Sequence, residues 1–308
     1  MRERELLVVT PAKDEIKYLP TVIDTMLRQT LLPARWVIAD DGSTDGTAEL
    51  AERAARDHDW ITVIRKPRRG ERRVGLASVA ALEIALALPR TWDYDFLCII
   101  DADIELPPTY FASILEEFER DEKLGIAAGQ VYEKTRSGRL TPMRGAPEAT
   151  AGAVKCWRRR CFEDIGGPIN EPGWDGTDQY QAAMSGWTTR TFDHQEVRVT
   201  HLRKMGSSYK SIVHGRLRRG TSGYFMGSHP LWMLASAFYH ATDSPWVVSS
   251  VSTLAGYFMA MLRRGPRVEN PVLIQFVRRK QLDKLKALCR HSMASVISAG
   301  SGVTLWRR

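Results

Sequence analysis

The chain has 308 residues, 44% of them hydrophobic, enough to bury a substantial core, which excludes disorder as the default state. Its net charge of +8 is unevenly spread: residues 197–308 hold 18 Lys and Arg against 3 Asp and Glu, while residues 1–196 hold 26 against 33. A basic final third calls for an anionic partner, such as a nucleic acid, an anionic lipid surface or a phosphorylated acceptor. The apolar run at residues 6–9 is too short for a signal-peptide core, so the N-terminus is expected on the cytoplasmic side. Cys98, Cys156, Cys161 and Cys289 have neither CxxC spacing nor the density of a disulfide scaffold, and they read as reduced structural thiols with no zinc site.

In chain order, residues 6–10, 36–39, 61–64, 96–100 and 125–128 are short apolar or β-branched runs and predict strands. Helices fall between them. Leu19, Val22, Ile23, Met26 and Leu27 recur at helical spacing, residues 76–88 are rich in helix formers and end before Pro89, and Phe111, Ile114, Leu115 and Phe118 form a stripe after Pro107 and Pro108. This alternation predicts an α/β fold, a mainly parallel Rossmann-like sheet covered by helices, with ligands beyond the carboxyl ends of the strands. Residues 132–190 are richer in Gly, Pro and Trp, with weaker periodicity, and predict loops that close over an acceptor. From Gly206 onward, clustered arginines and two apolar stretches, 230–239 and 245–262, predict a basic, amphipathic helical extension.

Asp101, Ala102 and Asp103 follow the run at 96–100 directly and so sit at a strand's carboxyl end. Two carboxylates there are costly unless a cation binds; one suits a hard metal ion and the other a ribose or metal-bound water, with a diphosphate completing the shell. Taken alone, this pattern is also common as an acidic turn. Two further strand ends carry polar turns, Thr10 to Glu15 and Asp40 to Thr47. Ser43, Thr44 or Asp45 suits a helix cap, which leaves the extra pair Asp40 and Asp41 for a base or ribose.

These segments together resemble the family 2 glycosyltransferases of the GT-A fold. The resemblance rests on Val8, Val9, Thr10 and Pro11 with Asp14 and Glu15, on the Asp40 to Thr47 run, and on Asp101, Ala102 and Asp103. It continues through Ile165, Gly166, Gly167 and Pro168, through the run from Gly173 to Tyr180, and through Ser185, Gly186 and Trp187, spanning roughly residues 5–205. The family usually has Glu-Asp where this chain has Thr177 and Asp178. The resemblance implies a donor site for a nucleotide sugar, UDP-linked as is commonest in the family, formed by Thr10, Pro11, Glu15, Asp41, Asp101, Ala102 and Asp103. Similar proteins contact the base or diphosphate near Arg73. It also implies Asp103 and Asp101 as metal ligands for Mn²⁺ or Mg²⁺ and Asp178 as general base of an inverting transfer. His201, at the end of an alternating run, stands where members of this fold class often place a third metal ligand; a satisfied polar histidine is the equal alternative.

Trp174, beside the expected base, suits either an acceptor sugar or the core. The arginines from Arg203 to Arg219 suit a pyrophosphate, and Arg219 is assigned to the acceptor. Residues 245–262 form an 18-residue uncharged stretch, at the short end of the roughly 17 to 25 residues that span a bilayer, and its serines favour an interfacial helix instead. Trp232, Trp246, Arg263 and Arg264 fall at headgroup level, and Arg278, Arg279 and Lys280 add attraction to anionic lipid.

The expected organisation is a catalytic domain at 1–205, divided into a nucleotide-sugar half at 1–130 and an acceptor half at 131–205, then a membrane-associating region at 206–308. The expected activity is transfer to a lipid-linked saccharide at the cytoplasmic face of a membrane, with polyprenyl phosphate itself as the alternative acceptor and homo-oligomerisation left open. A phosphatase using Asp101 and Asp103 would leave the Asp40 to Thr47 run unexplained. A non-enzymatic scaffold on an anionic surface has no use for strand-end carboxylates, which would repel a nucleic acid.

Overall fold

The structure, a computed structural model, describes residues 5–66, 76–88, 94–135, 137–171, 173–203, 212–241 and 246–300. The chain divides into two compact units, Met1–Lys210 and Ser211–Arg308.

In the first unit β1 (Leu6–Ala12), β2 (Arg35–Asp40) and β3 (Ile61–Arg65) run parallel, connected through α1 (Leu19–Leu27) and α2 (Thr47–Asp57). After α3 (Leu76–Ala87), β4 (Phe96–Ile100) pairs parallel to the other side of β1. The chain continues through β5 (Ile104–Glu105), α4 (Tyr110–Arg120), β6 (Leu124–Gly129), β7 (Val131–Lys134), β8 (Leu140–Pro142), β9 (Val154–Arg158) and α5 (Arg159–Asp164). It ends with α6 (Trp174–Met184), β10 (Thr188–Phe192) and β11 (Val199–His201). The main sheet has the order β10-β6-β9-β4-β1-β2-β3, and a smaller one has the order β5-β11-β7-β8.

The two-residue period of a strand divides the core. Leu6, Val8 and Ala12 pack with residues of α1, α2 and α4, while Leu7 and Val9 pack with residues of α3, α5 and α6. Both faces are covered, which is why these strands read as continuous apolar runs. Gly129 ends β6 where a side chain cannot fit, since a Cβ would collide with the Val197 carbonyl oxygen.

Two sequence expectations are corrected here. Residues 132–190 are not mainly loop: they supply α5, α6 and all or part of four strands, β7 to β10, of the main and small sheets, with β9 inserted antiparallel between β4 and β6. Cys98 and Cys156 are not reduced; the antiparallel register sets them directly opposite and they form a disulfide, S–S 2.11 Å. Cys161 is free and buried.

The second unit's described residues form α7 (Ile212–Phe225), α8 (Pro230–Tyr239), α9 (Trp246–Leu262) and α10 (Pro271–Gly300). The backbones of α7 and α9 touch because Gly220 and Gly256 lack side chains: a Cβ at either would collide with the carbonyl oxygen of Thr253 or Leu217. α8 opens on Pro230 with the His229 ring accepting from the Leu231 N–H at 3.2 Å. Tyr257 is buried and donates to the Ser228 carbonyl at 2.7 Å. Among the described residues no helix is long and apolar enough to cross a membrane. α9 is inverted relative to a helix in water: Ser249, Ser250 and Ser252 face inward, and Val247, Val248 and Val251 face out.

Candidate active site

Three strands end side by side. The turn after β1 and the turn after β2 are laced together: the Asp14 N–H donates to Ser43 Oγ at 2.8 Å, Thr44 N–H donates to Asp14 Oδ1 at 2.8 Å, and the Glu15 N–H donates to Thr47 Oγ1 at 2.7 Å. Asp14 takes a left-handed backbone with φ 52°, one of two non-glycine residues with positive φ among those described. Asp40 is buried and accepts from the N–H groups of Gly42 and Ser43, both at 3.1 Å, so it builds the turn. Its neighbour Asp41 is the carboxylate presented at the edge, with Lys13 Nζ 3.7 Å away. Thr10 does not offer its side chain to a ligand: it is fully buried and its hydroxyl accepts from Trp36 Nε1 at 2.9 Å. Pro11 lies half-buried at the end of β1.

Beyond β4, Ala102 is buried and Asp103 is 1% exposed. The Leu202 N–H donates to the Asp103 carbonyl at 2.9 Å, which brings the flanking residues His201 and Arg203 over the Asp103 carboxylate. His201 Nδ1 is 3.9 Å from Asp103 Oδ2, and Arg203 Nε contacts the same oxygen. The other guanidinium nitrogens of Arg203 hold Glu15, Nη2 to Oε1 at 2.8 Å and Nη1 to Oε2 at 3.2 Å. Glu15 and Asp103, nearly 90 residues apart, thus share one cation.

Neither Asp103 oxygen has a hydrogen bond, nor has His201 Nδ1, although all three atoms are buried. The Arg203 contact on Asp103 is close but lacks hydrogen-bond geometry. A buried carboxylate that has an ion pair with Arg203 but no hydrogen bond suits a hard cation. Among the described residues no group of three or more His, Cys, Asp and Glu stands in ligating geometry. Asp101 is half-buried, and its N–H donates to the Ala153 carbonyl at 2.9 Å.

Asp178 is overturned as the general base. It is 0% exposed, its two oxygens accept from Lys155 Nζ at 2.9 and 3.0 Å, and Trp157 Nε1 donates to Oδ2 at 3.2 Å. No acceptor hydroxyl reaches it. Burial pushes its carboxyl up to about 6, with Lys155 pulling the other way. Lys155 is itself 0% exposed, a buried ammonium whose charge is matched by this one carboxylate. Sequence reasoning missed it, although a lone lysine inside the apolar run of β9 is the signal that a buried carboxylate must face it.

Trp174 is 4% exposed, with Trp157 at 6.0 Å between centroids and Lys155 Nζ 5.1 Å from its ring, so it packs in the core and offers no face to a sugar. Arg219 lies on α7 in the second unit, its Nη2 3.4 Å from His240 Nε2. Arg73 lies outside the described residues.

Strand-end carboxylates on a mainly parallel sheet, with buried acceptors that lack hydrogen bonds, suit a transferase that handles a nucleotide sugar. Residues 7–169 match the model for "Glycosyl transferase family 2", and the chain belongs to that family. It is 34% identical over 113 residues to the succinoglycan biosynthesis protein ExoA of Rhizobium meliloti, covering 36% of this chain and 32% of that one. It is 27% identical over 130 residues to the chondroitin synthase of Pasteurella multocida, covering 42% of this chain and 12% of that one. The chain therefore matches a third or less of these relatives' lengths.

Among solved structures it resembles the mannosyltransferase PcManGT of Pyrobaculum calidifontis, in complex with GDP-Man and Mn²⁺, with TM-score 0.50, 19% identity and coverage of 99% of this chain and 82% of that one. It also resembles S. aureus TarS 1–349 in complex with UDP-GlcNAc, with TM-score 0.51, 14% identity and coverage of 85% and 73%. These likenesses establish the fold, the GT-A arrangement expected from the sequence.

Proposed function

We propose that this protein is an inverting glycosyltransferase that moves a sugar from a UDP-linked donor to a hydroxyl of a lipid-linked saccharide, in polysaccharide assembly at the cytoplasmic face of a membrane. The observation that carries the donor half is the buried carboxylate of Asp103 just beyond β4, which has no hydrogen bond and lies beside His201 and Arg203. Asp103 and His201 would hold Mn²⁺ or Mg²⁺, with Asp101 beside them. When bound, the ion supplies positive charge against the donor's diphosphate. Asp41 lies where a base or ribose would sit, and Pro11 and Ala102 border the same edge. Matches to polysaccharide-assembly proteins and to structures carrying nucleotide sugars support the substrate class.

The lipid half rests on the second unit. The inverted α9, together with Leu231, Leu234 and Phe238 on one face of α8, gives an apolar surface, with Phe238 86% and Leu262 79% exposed and Arg263 and Arg264 following. This composition suits a helix pair lying in the headgroup layer of an anionic membrane. The same surface suits polyprenyl phosphate, the second acceptor considered.

Calorimetric titration of UDP, GDP and dTDP, with and without Mn²⁺, tests the donor site. Metal-dependent binding of one nucleotide to wild type, abolished in Asp103→Ala, is the expected result; no binding of any of the three would overturn the proposal.

A further inference from the structure

The described residues of the second unit carry many arginines and lysines but only two carboxylates, Glu269, which is exposed, and Asp283, which faces Lys286 at 3.8 Å. Two of the arginines are nonetheless held half-buried around one turn, Phe225 to His229, that joins α7 to α8. The Val268 N–H donates to the Phe225 carbonyl at 3.0 Å, which docks the connection between α9 and α10 on this turn. Arg267, one residue earlier, lays its guanidinium carbon 4.3 Å from the centre of the Tyr224 ring. From α10, Arg278 Nε donates to the Gly227 carbonyl at 3.0 Å.

The two guanidiniums act on one buried group. The Tyr224 ring meets that of Tyr257 edge-on at 6.0 Å, and the Tyr257 hydroxyl is tied to the Ser228 carbonyl of the same turn. Burial raises the Tyr257 phenol, and the charges of Arg267 and Arg278 both pull it back. Arg267 Nε is buried without a hydrogen bond, and among the described residues neither arginine forms an ion pair. A desolvated cation with no carboxylate is costly, and an anion from outside offsets that cost. Stacking fixes the plane of one guanidinium and the Gly227 bond fixes the other, so both forks are set before a ligand arrives. Two such cations match a phosphomonoester, which carries a charge of about −2 and three acceptor oxygens.

The place of the pair says what carries the phosphate. α8 and α9 run antiparallel, since Ser250 Oγ bonds the Ala237 carbonyl near one end and Tyr257 reaches Ser228 at the other. The arginines therefore stand at the end where α8 begins with exposed Leu231 and α9 finishes with exposed Leu262, Arg263 and Arg264. An apolar chain attached to the phosphate has a surface to lie on.

We propose that Arg267 and Arg278 form a binding site for a phosphomonoester at the end of a lipid chain. The inference rests on the membrane-surface reading of the second unit and names the headgroup chemistry that surface selects.

The test is co-sedimentation with phosphatidylcholine vesicles that contain phosphatidic acid, a phosphomonoester, or phosphatidylserine, matched for surface charge. Wild type is expected to bind the phosphatidic acid vesicles more tightly by on the order of tenfold. Arg267→Lys keeps the charge and loses the fork, so it should bind both vesicles alike, with its phosphatidylserine binding and melting temperature close to wild type. Arg278→Lys makes the same test from α10 and should also lose the preference. Arg279→Gln, an exposed neighbour, should weaken both vesicles equally and keep it. Equal binding of the two vesicles by wild type, or a preference that survives in both lysine variants, overturns the site while leaving the membrane reading in place. A preference abolished by millimolar inorganic phosphate at constant ionic strength assigns the site to free phosphate and overturns the lipid part. Failure of wild type to bind either vesicle sinks both readings.

Discussion

The Nε of Arg203 lies against Oδ2 of Asp103, in the position beside His201 that a metal ion would share. A guanidinium and a divalent cation cannot both neutralise that oxygen at close range. Arg203→Ala should therefore lower the melting temperature without metal, because Glu15 and Asp103 lose their shared cation, and should widen the stabilisation that Mn²⁺ confers. Thermal melts across a Mn²⁺ series check this, since a ligand stabilises in proportion to the logarithm of its concentration over Kd. A smaller Mn²⁺ effect in the variant would mean that Arg203 helps to build the cation site.

Asp178 gives a pH signature. Burial raises its carboxyl to about 6 from an ordinary 3.8, so between those values the folded chain holds the proton more tightly than the unfolded chain. Its contribution to stability is therefore present below 3.8 and lost as pH rises through 6. The unfolding free energy of wild type minus that of Asp178→Asn should fall across this window and then level off. Urea unfolding of both proteins from about pH 4 to 8 reads the difference directly, with the other carboxylates cancelling. A constant difference would refute the shift.

The glycine contact between α7 and α9 is sensitive to one methyl group. Gly220→Ala or Gly256→Ala places a Cβ against a backbone carbonyl that no rotamer change can relieve. Each should destabilise the protein by about 1–3 kcal/mol, as overpacking does, lowering the urea midpoint. Gly138→Ala, where nothing lies within 4 Å of the added Cβ, is the control for added bulk, though its φ of 81° carries its own strain.

The outward face of α8 and α9 predicts lipid binding that can be removed without unfolding the chain. Phe238→Ser with Leu262→Ser should leave the melting temperature within a degree or so, because both residues are exposed, and should weaken binding to phosphatidylserine vesicles by on the order of tenfold or more. Arg263→Gln with Arg264→Gln should weaken it by about 1 kcal/mol per charge, an effect that vanishes at high salt. Vesicle co-sedimentation measures both. Equal binding by wild type and the Phe238 and Leu262 variant would exclude this face as the lipid contact.

The parallel half of the sheet was legible because strands buried on both faces must be continuously apolar, and residues 96–100 and 6–9 have no other reading. The strand ends were legible for a related reason: Asp101 and Asp103 directly after such a run are carboxylates that an apolar core would not accept without a positive partner, which Arg203 supplies for Asp103. β9 was hidden by Lys155, which interrupts its apolar pattern and is neutralised by a partner 23 residues later on another element. The disulfide was hidden by the same gap, since Cys98 and Cys156 are separated by 58 residues and become neighbours only once β9 is in register. The fate of Asp178 was readable in principle. It falls four residues after Trp174 and four before Ala182, on the stripe a helix turns inward.

The insertion of β9 between β4 and β6 has a consequence for how this enzyme can be shortened or can assemble. The strand that completes the middle of the sheet is made after the strands on both its sides, so a chain interrupted before β9 leaves β4 as an open edge and β6 without either of its partners, β9 and β10, rather than a smaller finished sheet. Such strands are apolar and ready to pair with another copy. During synthesis the first 150 residues must wait for the next ten, and in that interval the protein is most exposed to self-association.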